Sequence, residues 1–422
     1  MNYGVIGEHL PHSFSKIIHE KIEPYSYIIR EVARDELPSF MEEKAFDGIN
    51  VTIPYKEAVI PYLDEIDPMA KAIGAVNTVV NENGKLYGYN TDFKGMRALI
   101  HRIGLTLHNK KVLILGTGGT SKTAKALANA EGARAVYRIS YFESEDAISY
   151  KTAYEQNADA DILINTTPCG MFPKIDTLAT DENGAELDLS RFPHLEGVVD
   201  VVYNPLRTRL VQEAEGRGLP TQGGLYMLVA QAVFAAEYFT KKTYPETLID
   251  EVFNEIVAAK ETIVLIGMPA SGKTTVGKLL AEKTGRQLVD TDDEIVALVG
   301  KDIPTIFREE GEARFRQYES EVIASLATRE NLVIATGGGA ILKAENCQKL
   351  KHNGRLYFLD RPLADLIPTV DRPTASSLEA IEARYTERYP IYTSVADIRI
   401  DAKNQTPDEV ANAILRHHER KD

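Results

Sequence analysis

The sequence predicts an α/β protein with two separate sheets of mainly parallel strands. Short apolar runs alternate with amphipathic, helix-like segments almost throughout the 422 residues, which is how buried parallel strands joined by crossover helices read. Two of the runs end in glycine-rich turns that open helices, at Gly116 and at Gly267. The length corresponds to about three domains.

The first series of strands comprises KKVLILGTGG, ADILINTTP and EGVVDVVYNP, all between residues 102 and 236. A second series, TIVLIGMPAS, RQLVDTDDE, NLVIATGGGA and GRLYFLDRP, ends its strands in Gly or Asp and needs a sheet of its own. Between them, QAVFAAEYFTKKTYPETLIDEVFNEIVAAKE has apolar residues at helical spacing, with a break expected at Pro245. This divides the chain into residues 1–101, completed by a helix at about 237–255, then 102–236, a linker at 256–261, and 262–422. No fixed-period repeat is visible, so the two sheets read as different domains.

Hydrophobic residues make up 44% and charged residues 26%, enough apolar surface for globular cores. The net charge of -14 argues against nucleic-acid or anionic-membrane binding, which need a basic field. Anionic small molecules would need local basic pockets instead. Cys169 and Cys347 are too few and too far apart for a disulfide framework, and His9, His12 and His19 are not spaced as metal ligands. The N-terminus lacks the pattern of a signal peptide, and no apolar run is long enough to span a bilayer. A soluble, cytoplasmic protein is expected.

Gly267-Met-Pro-Ala270-Ser271-Gly272-Lys273-Thr274-Thr275 follows an apolar strand and precedes the helix-like VGKLLAEKT, the context that a phosphate-binding loop demands. Backbone N–H groups would face phosphate oxygens, Lys273 would reach the terminal phosphates, and the Thr274 hydroxyl would ligate Mg²⁺. ATP and Mg²⁺ are the implied ligands. The loop alone does not specify the acceptor.

Beyond it stand Asp290-Thr-Asp292, Phe315-Arg316-Gln-Tyr-Glu319, Gly337-Gly338-Gly339, Arg372-Pro373 and Arg388-Tyr-Pro-Ile-Tyr. In this order, over residues 261–422, they resemble shikimate kinase. The resemblance implies a nucleoside-monophosphate-kinase-like parallel sheet, with Asp290 holding the magnesium shell and Asp292 binding the acceptor hydroxyls as base or orienter. It makes Arg316 and Arg388 the carboxylate-binding arginines, a role that suits bidentate guanidinium contacts. Gly338 and Gly339 would approach the ring, and Arg372 would close over the transferring phosphoryl.

Gly116-Thr-Gly118-Gly119-Thr120-Ser121 follows KKVLIL and opens KTAKALANA, a Rossmann-type turn that would bring backbone amides to a pyrophosphate at a helix N-terminus. About twenty residues on, where an NAD site would place an acid for the ribose, the chain has Arg138. A guanidinium there pairs with a 2′-phosphate, which favours NADP(H). Lys122 and Lys125 are candidate helpers.

Around this turn lie Ser13-Phe-Ser15, Asn50-Val-Thr52-Ile-Pro-Tyr-Lys56, Gly74-Ala-Val-Asn77-Thr78 and Asn90-Thr91-Asp92. Asn165-Thr-Thr-Pro-Cys-Gly-Met171, Asp200-Val-Val-Tyr203-Asn-Pro and Gly224-Leu-Tyr-Met-Leu-Val-Ala-Gln231 follow. Together, over about residues 1–250, they resemble shikimate dehydrogenase, a two-domain fold with an NADP-binding Rossmann domain. The resemblance makes Lys56 and Asp92 the catalytic pair. It assigns the substrate's carboxylate and hydroxyls to Ser13, Ser15, Thr52, Asn77 and Gln231, with Tyr203 beside the ring and Gly224 in the cofactor site. Lys16 stands where relatives commonly have proline.

The expected activities are NADPH-dependent reduction of 3-dehydroshikimate and ATP-dependent phosphorylation of shikimate. The alternatives are an NAD-using quinate/shikimate dehydrogenase fused to a kinase, or one half acting as a silent regulatory module.

Overall fold

A computed structural model describes residues 2–10, 13–366 and 378–419. The chain divides into two compact units, Met1–Ile256 and Val257–Asp422.

The first unit contains two six-stranded sheets. One is formed by β1 (Tyr3–Gly7), β2 (Tyr27–Glu31), β3 (Gly48–Val51), β4 (Glu65–Ile66), β5 (Thr78–Glu82) and β6 (Lys85–Tyr89), in the order β2-β1-β3-β5-β6-β4. It is mixed: β5 runs antiparallel to both β3 and β6. The other is formed by β7 (Lys111–Leu115), β8 (Ala135–Ser140), β9 (Ile148–Ser149), β10 (Ile162–Asn165), β11 (Gly197–Asp200) and β12 (Thr221–Gln222). Its order is β12-β11-β10-β7-β8-β9 and all its pairings are parallel. The chain proceeds to β8 on one side of β7 and then crosses to β10 on the other, so a crevice opens beyond the ends of β7 and β10, where ligands of such sheets bind.

The helix Leu225–Thr240 changes the expected lobe boundaries. It packs against the helix Thr91–Arg102 and against the first sheet, with the Phe239 and Tyr3 rings stacked at 5.0 Å. The chain therefore leaves the second lobe after β12, near Gly224, and not at about residue 236. The apolar text of this helix shows that it is buried; which lobe buries it is a matter of packing. A second helix, Thr247–Lys260, follows Pro245 and runs to within one residue of the next strand. The expected linker at 256–261 is thus the helix's last turn, and the two units divide within it.

The second unit contains β13 (Thr262–Ile266), β14 (Gln287–Asp290), β15 (Leu332–Ala335), β16 (Gly354–Asp360) and β17 (Ile398–Asp401), in the all-parallel order β14-β15-β13-β16-β17. Along β13, Val264 and Ile266 enter one apolar core while Ile263 and Leu265 enter the core on the opposite face. A strand covered on both faces reads as an unbroken apolar run, which is why TIVLI shows no alternation. Among the described residues no helix is long and apolar enough to cross a membrane.

Candidate active sites

In the first unit, the Nζ of Lys56 lies 2.6 Å from Oδ2 of Asp92, and both side chains are largely shielded from solvent. Lys56 sits beyond β3, where its carbonyl accepts from the Val76 amide at 2.8 Å. Asp92 occupies the first turn of the helix Thr91–Arg102, capped by Asn90, whose side chain accepts from the Phe93 amide at 3.2 Å. A carboxylate there is favoured by the helix dipole.

Beside the pair lies a buried polar cluster. Asn77 donates to Thr91 Oγ1 at 3.0 Å and to Gln231 Oε1 at 3.3 Å, and accepts from the Thr91 amide at 2.7 Å. Gln231 reaches this cluster because Gly95 lets two helices cross closely: a Cβ at Gly95 would stand 2.8 Å from the Met227 carbonyl oxygen. Sequence reading named Gln231 but missed Gly95, whose role is visible only in the crossing. Ser15 is buried and its amide donates to Ser13 Oγ at 3.3 Å. Thr52 is half-buried, with its amide on the Ile6 carbonyl at 3.0 Å. The Tyr203 ring packs against Phe14 with centroids 5.2 Å apart, and burial raises its hydroxyl pKa.

The glycine-rich turn approaches the same place. A Cβ at Gly119 would lie 3.8 Å from Lys56 Cδ, so the N-terminus of the helix Gly119–Ala130 rests against the Lys56 side chain. Gly116 has φ +101°, a conformation open to glycine, and packs toward Thr166 beyond β10. The space over Gly118 is clear and Thr120 is half-buried in the first helical turn. This turn fits the pyrophosphate of a dinucleotide.

Three residues expected at the cofactor are engaged by the protein itself. Ser121 is fully buried and donates to the Gly118 carbonyl at 2.7 Å. Gly224 abuts the Val201 carbonyl so closely that no side chain fits. Arg138 is 7% exposed and donates to the carbonyls of Asp146 and Thr117 at 3.3 and 3.4 Å. Asp200 also went unassigned in sequence reading. It is fully buried and accepts from Thr208, Asn165 and the Val202 amide at 2.6, 2.9 and 3.0 Å, and burial pushes its carboxyl up to about 6. His19 is buried against Tyr27 with ring centroids 4.0 Å apart, and burial lowers its pKa to about 3. His12 lies outside the described residues.

In the second unit, the loop after β13 folds around its own lysine. Lys273 is buried, and its Nζ donates to the carbonyls of Gly267 and Met268 at 2.8 and 2.9 Å. Ala270 and Gly272 both have positive φ, +65° and +93°. Buried Ser271 Oγ has no hydrogen-bond partner among the described residues, and Thr275 is exposed at the helix start. Thr274 Oγ1 donates to Asp290 Oδ2 at 2.8 Å. A hydroxyl and a carboxylate in contact beside a phosphate loop fit Mg²⁺ carrying ATP.

Asp290 caps the following helix, accepting from the Asp292 amide at 3.0 Å, and so turns Asp292 toward the glycine run after β15. A Cβ at Gly337 would lie 2.7 Å from Asp292 Oδ1 and 3.1 Å from Glu319 Oε1. The Arg316 guanidinium lies on Gly339, closer than any side chain there would permit, and donates to Glu319 Oε2 at 2.9 Å. Arg388 donates to the Gly338 carbonyl at 3.0 Å, while its buried Nε has no partner among the described residues. Burial lowers the Arg388 pKa, and Arg316 adds to that effect. Two guanidiniums, one with an unsatisfied buried donor, fit a carboxylate ligand. Sequence reading gave Glu319 no role. It is 1% exposed, and burial raises its carboxyl pKa against the opposing pull of Arg316. Arg372 lies outside the described residues.

The family model for the shikimate dehydrogenase substrate binding domain matches residues 5–79. A shikimate dehydrogenase (NADP(+)) of Clostridium beijerinckii is 36% identical over 252 residues, 56% of this chain and 90% of the relative. The chain belongs to the shikimate dehydrogenase family. The solved structure of shikimate dehydrogenase 1 from Peptoclostridium difficile has a TM-score of 0.55 and 31% identity, covering 61% of this chain and 98% of its own. A shikimate 5-dehydrogenase from Thermus thermophilus, solved with NADP(H) and shikimate, has a TM-score of 0.53 and 28% identity over 60% of this chain and 99% of its own. The shikimate kinase family model matches residues 269–419 of this family member. The shikimate dehydrogenase is fused to a shikimate kinase domain.

Proposed function

We propose that this chain performs two consecutive reactions on one small hydroxylated carboxylate. The first unit reduces 3-dehydroshikimate to shikimate with NADPH, and the second phosphorylates shikimate to shikimate 3-phosphate with MgATP. The observation that carries the first reading is the Lys56–Asp92 pair at 2.6 Å with Gly119 of the dinucleotide turn against Lys56. NADPH supplies a hydride to the ketone carbon. The Lys56 ammonium then offers a proton to the carbonyl oxygen as negative charge develops on it, and Asp92 holds that ammonium aimed. Ser13, Ser15, Thr52, Asn77 and Gln231 bind the carboxylate and ring hydroxyls, and Tyr203 flanks the ring.

In the second unit, ATP supplies the phosphoryl group. Arg316 and Arg388 hold the acceptor's carboxylate while Asp292 accepts the proton of the attacking hydroxyl. Lys273 turns from its own loop carbonyls to phosphate oxygens, and Thr274 and Asp290 would hold Mg²⁺. Free Cys169 and Cys347 go with a cytoplasmic location, and the net charge of -14 goes with small-molecule ligands instead of nucleic acid.

The test is to supply the purified chain with 3-dehydroshikimate, NADPH and MgATP and identify products by mass. Shikimate 3-phosphate should form only with all three present. Shikimate accumulating beside unused ATP would sink the kinase reading, and unconsumed NADPH would sink the dehydrogenase reading.

A further inference from the structure

In the dinucleotide-binding lobe, each cation near the glycine-rich turn is already countered by a carboxylate. The Arg138 guanidinium lies beneath the turn, with Nη1 on the Thr117 carbonyl and, at 3.5 Å, on Ser121 Oγ. Its Nη2 is 3.4 Å from Oδ2 of Asp146. Lys125, nearly two turns into Gly119–Ala130, places its Nζ 3.4 Å from Oδ1 of the same Asp146. Lys122 is turned away to Glu57, at 2.9 Å. The segment after β8, Tyr141-Phe-Glu-Ser-Glu-Asp146, holds three acids and contributes no Lys or Arg. Asp146 thus spans two cations, one with each oxygen, as a phosphate monoester would.

We propose that Asp146 is a specificity-determining residue that occupies the 2′-phosphate subsite and keeps this enzyme's preference for NADP over NAD small. The inference rests on the proposed dinucleotide site. A 2′-phosphate reaching Arg138 and Lys125 must displace the Asp146 carboxylate, which partly offsets the two charge-assisted hydrogen bonds it would form. NAD carries no group that competes for them. The Asp146 side chain is 68% exposed, so it can swing clear without disturbing a core. The same exposure limits the energy at stake, because exposed ion pairs are individually weak.

The test is calorimetric titration of the full chain, native and Asp146→Asn, with NADP⁺, NAD⁺ and adenosine 2′,5′-bisphosphate as a probe of the phosphate subsite alone. The variant should bind NADP⁺ and the bisphosphate about five- to tenfold more tightly, the range expected from freeing one buried and one partly exposed cation. NAD⁺ affinity should stay within about twofold, and the gain should shrink as salt is raised. An added Arg138→Gln substitution should abolish the gain, which a merely structural role for Asp146 would not require. A shift of less than about threefold in the NADP⁺/NAD⁺ affinity ratio, or an equal gain for both, overturns the proposal while leaving the dinucleotide site standing. Failure of the native chain to bind either dinucleotide overturns both.

Discussion

Lys56 and Asp92 are 36 residues apart in the chain, yet their charged groups meet at 2.6 Å against the opening of the dinucleotide turn. Replacing Lys56 by Met should lower NADP-linked oxidation of shikimate by about a thousandfold, the combined scale of proton transfer and charge stabilisation. Steady-state assays of both half-reactions check this, and phosphorylation of shikimate should be unchanged. A parallel loss of kinase activity would show that the sites are not independent.

The converse variant is Lys273→Ala. Its ammonium now rests on two loop carbonyls, poised for phosphate oxygens. Phosphorylation should fall by at least about a hundredfold with the dehydrogenase intact. Thr274→Val, which removes the hydroxyl on Asp290, should raise the Mg²⁺ concentration needed for half-maximal kinase activity. A magnesium titration at fixed ATP measures it.

Gly339→Ala places a methyl where the Arg316 guanidinium lies. The arginine must move, and a displacement of about 1 Å at a binding group can cost a hundredfold. We expect kcat/KM for shikimate in the kinase reaction to fall by at least about tenfold, mostly through KM, because the proposed ground-state carboxylate contact is the one disturbed. The KM for ATP should move little.

Asp200 gives the dehydrogenase unit a pH signature. Its native carboxyl keeps its proton up to about pH 6, whereas the ordinary value is 3.8. Between those values the native state binds more protons than the unfolded chain, so stability falls as pH rises through the window and levels off above it. Asp200→Asn removes the ionisation. Its stability relative to the native chain should rise by about 2 kcal/mol between pH 4 and 6.5, as read from denaturant unfolding. A difference that does not vary with pH would contradict the raised native value.

Local chemistry made much of this protein legible in sequence. A phosphate loop must place its glycines, lysine and threonine within a few residues, and a dinucleotide turn must join a strand to a helix. The glycine runs at 116–119 and 267–272 therefore announce themselves, as do the apolar strands before them. The ordered motifs around them carried the resemblance to both families. Residues whose role depends on distant partners were less legible. Glu319 reads as an ordinary helical acid until the fold buries it between Arg316 and Asp292. Gly95 reads as a flaw in a helix until Met227 and Gln231 cross it.

By itself, then, the sequence determined the class and the two nucleotide loops, since each follows from short-range periodicity or motif spacing, and the resemblance to two families named the candidate reactive groups. Only tertiary structure decided that the helix Leu225–Thr240 returns to the first lobe and that Gln231 meets Asn77, 154 residues earlier. It likewise decided that the Arg138 guanidinium, open to a 2′-phosphate in sequence, is spanned by Asp146. The physical reason is that burial and ion pairing depend on which surfaces pack together, and packing brings together side chains whose separation along the chain carries no signal.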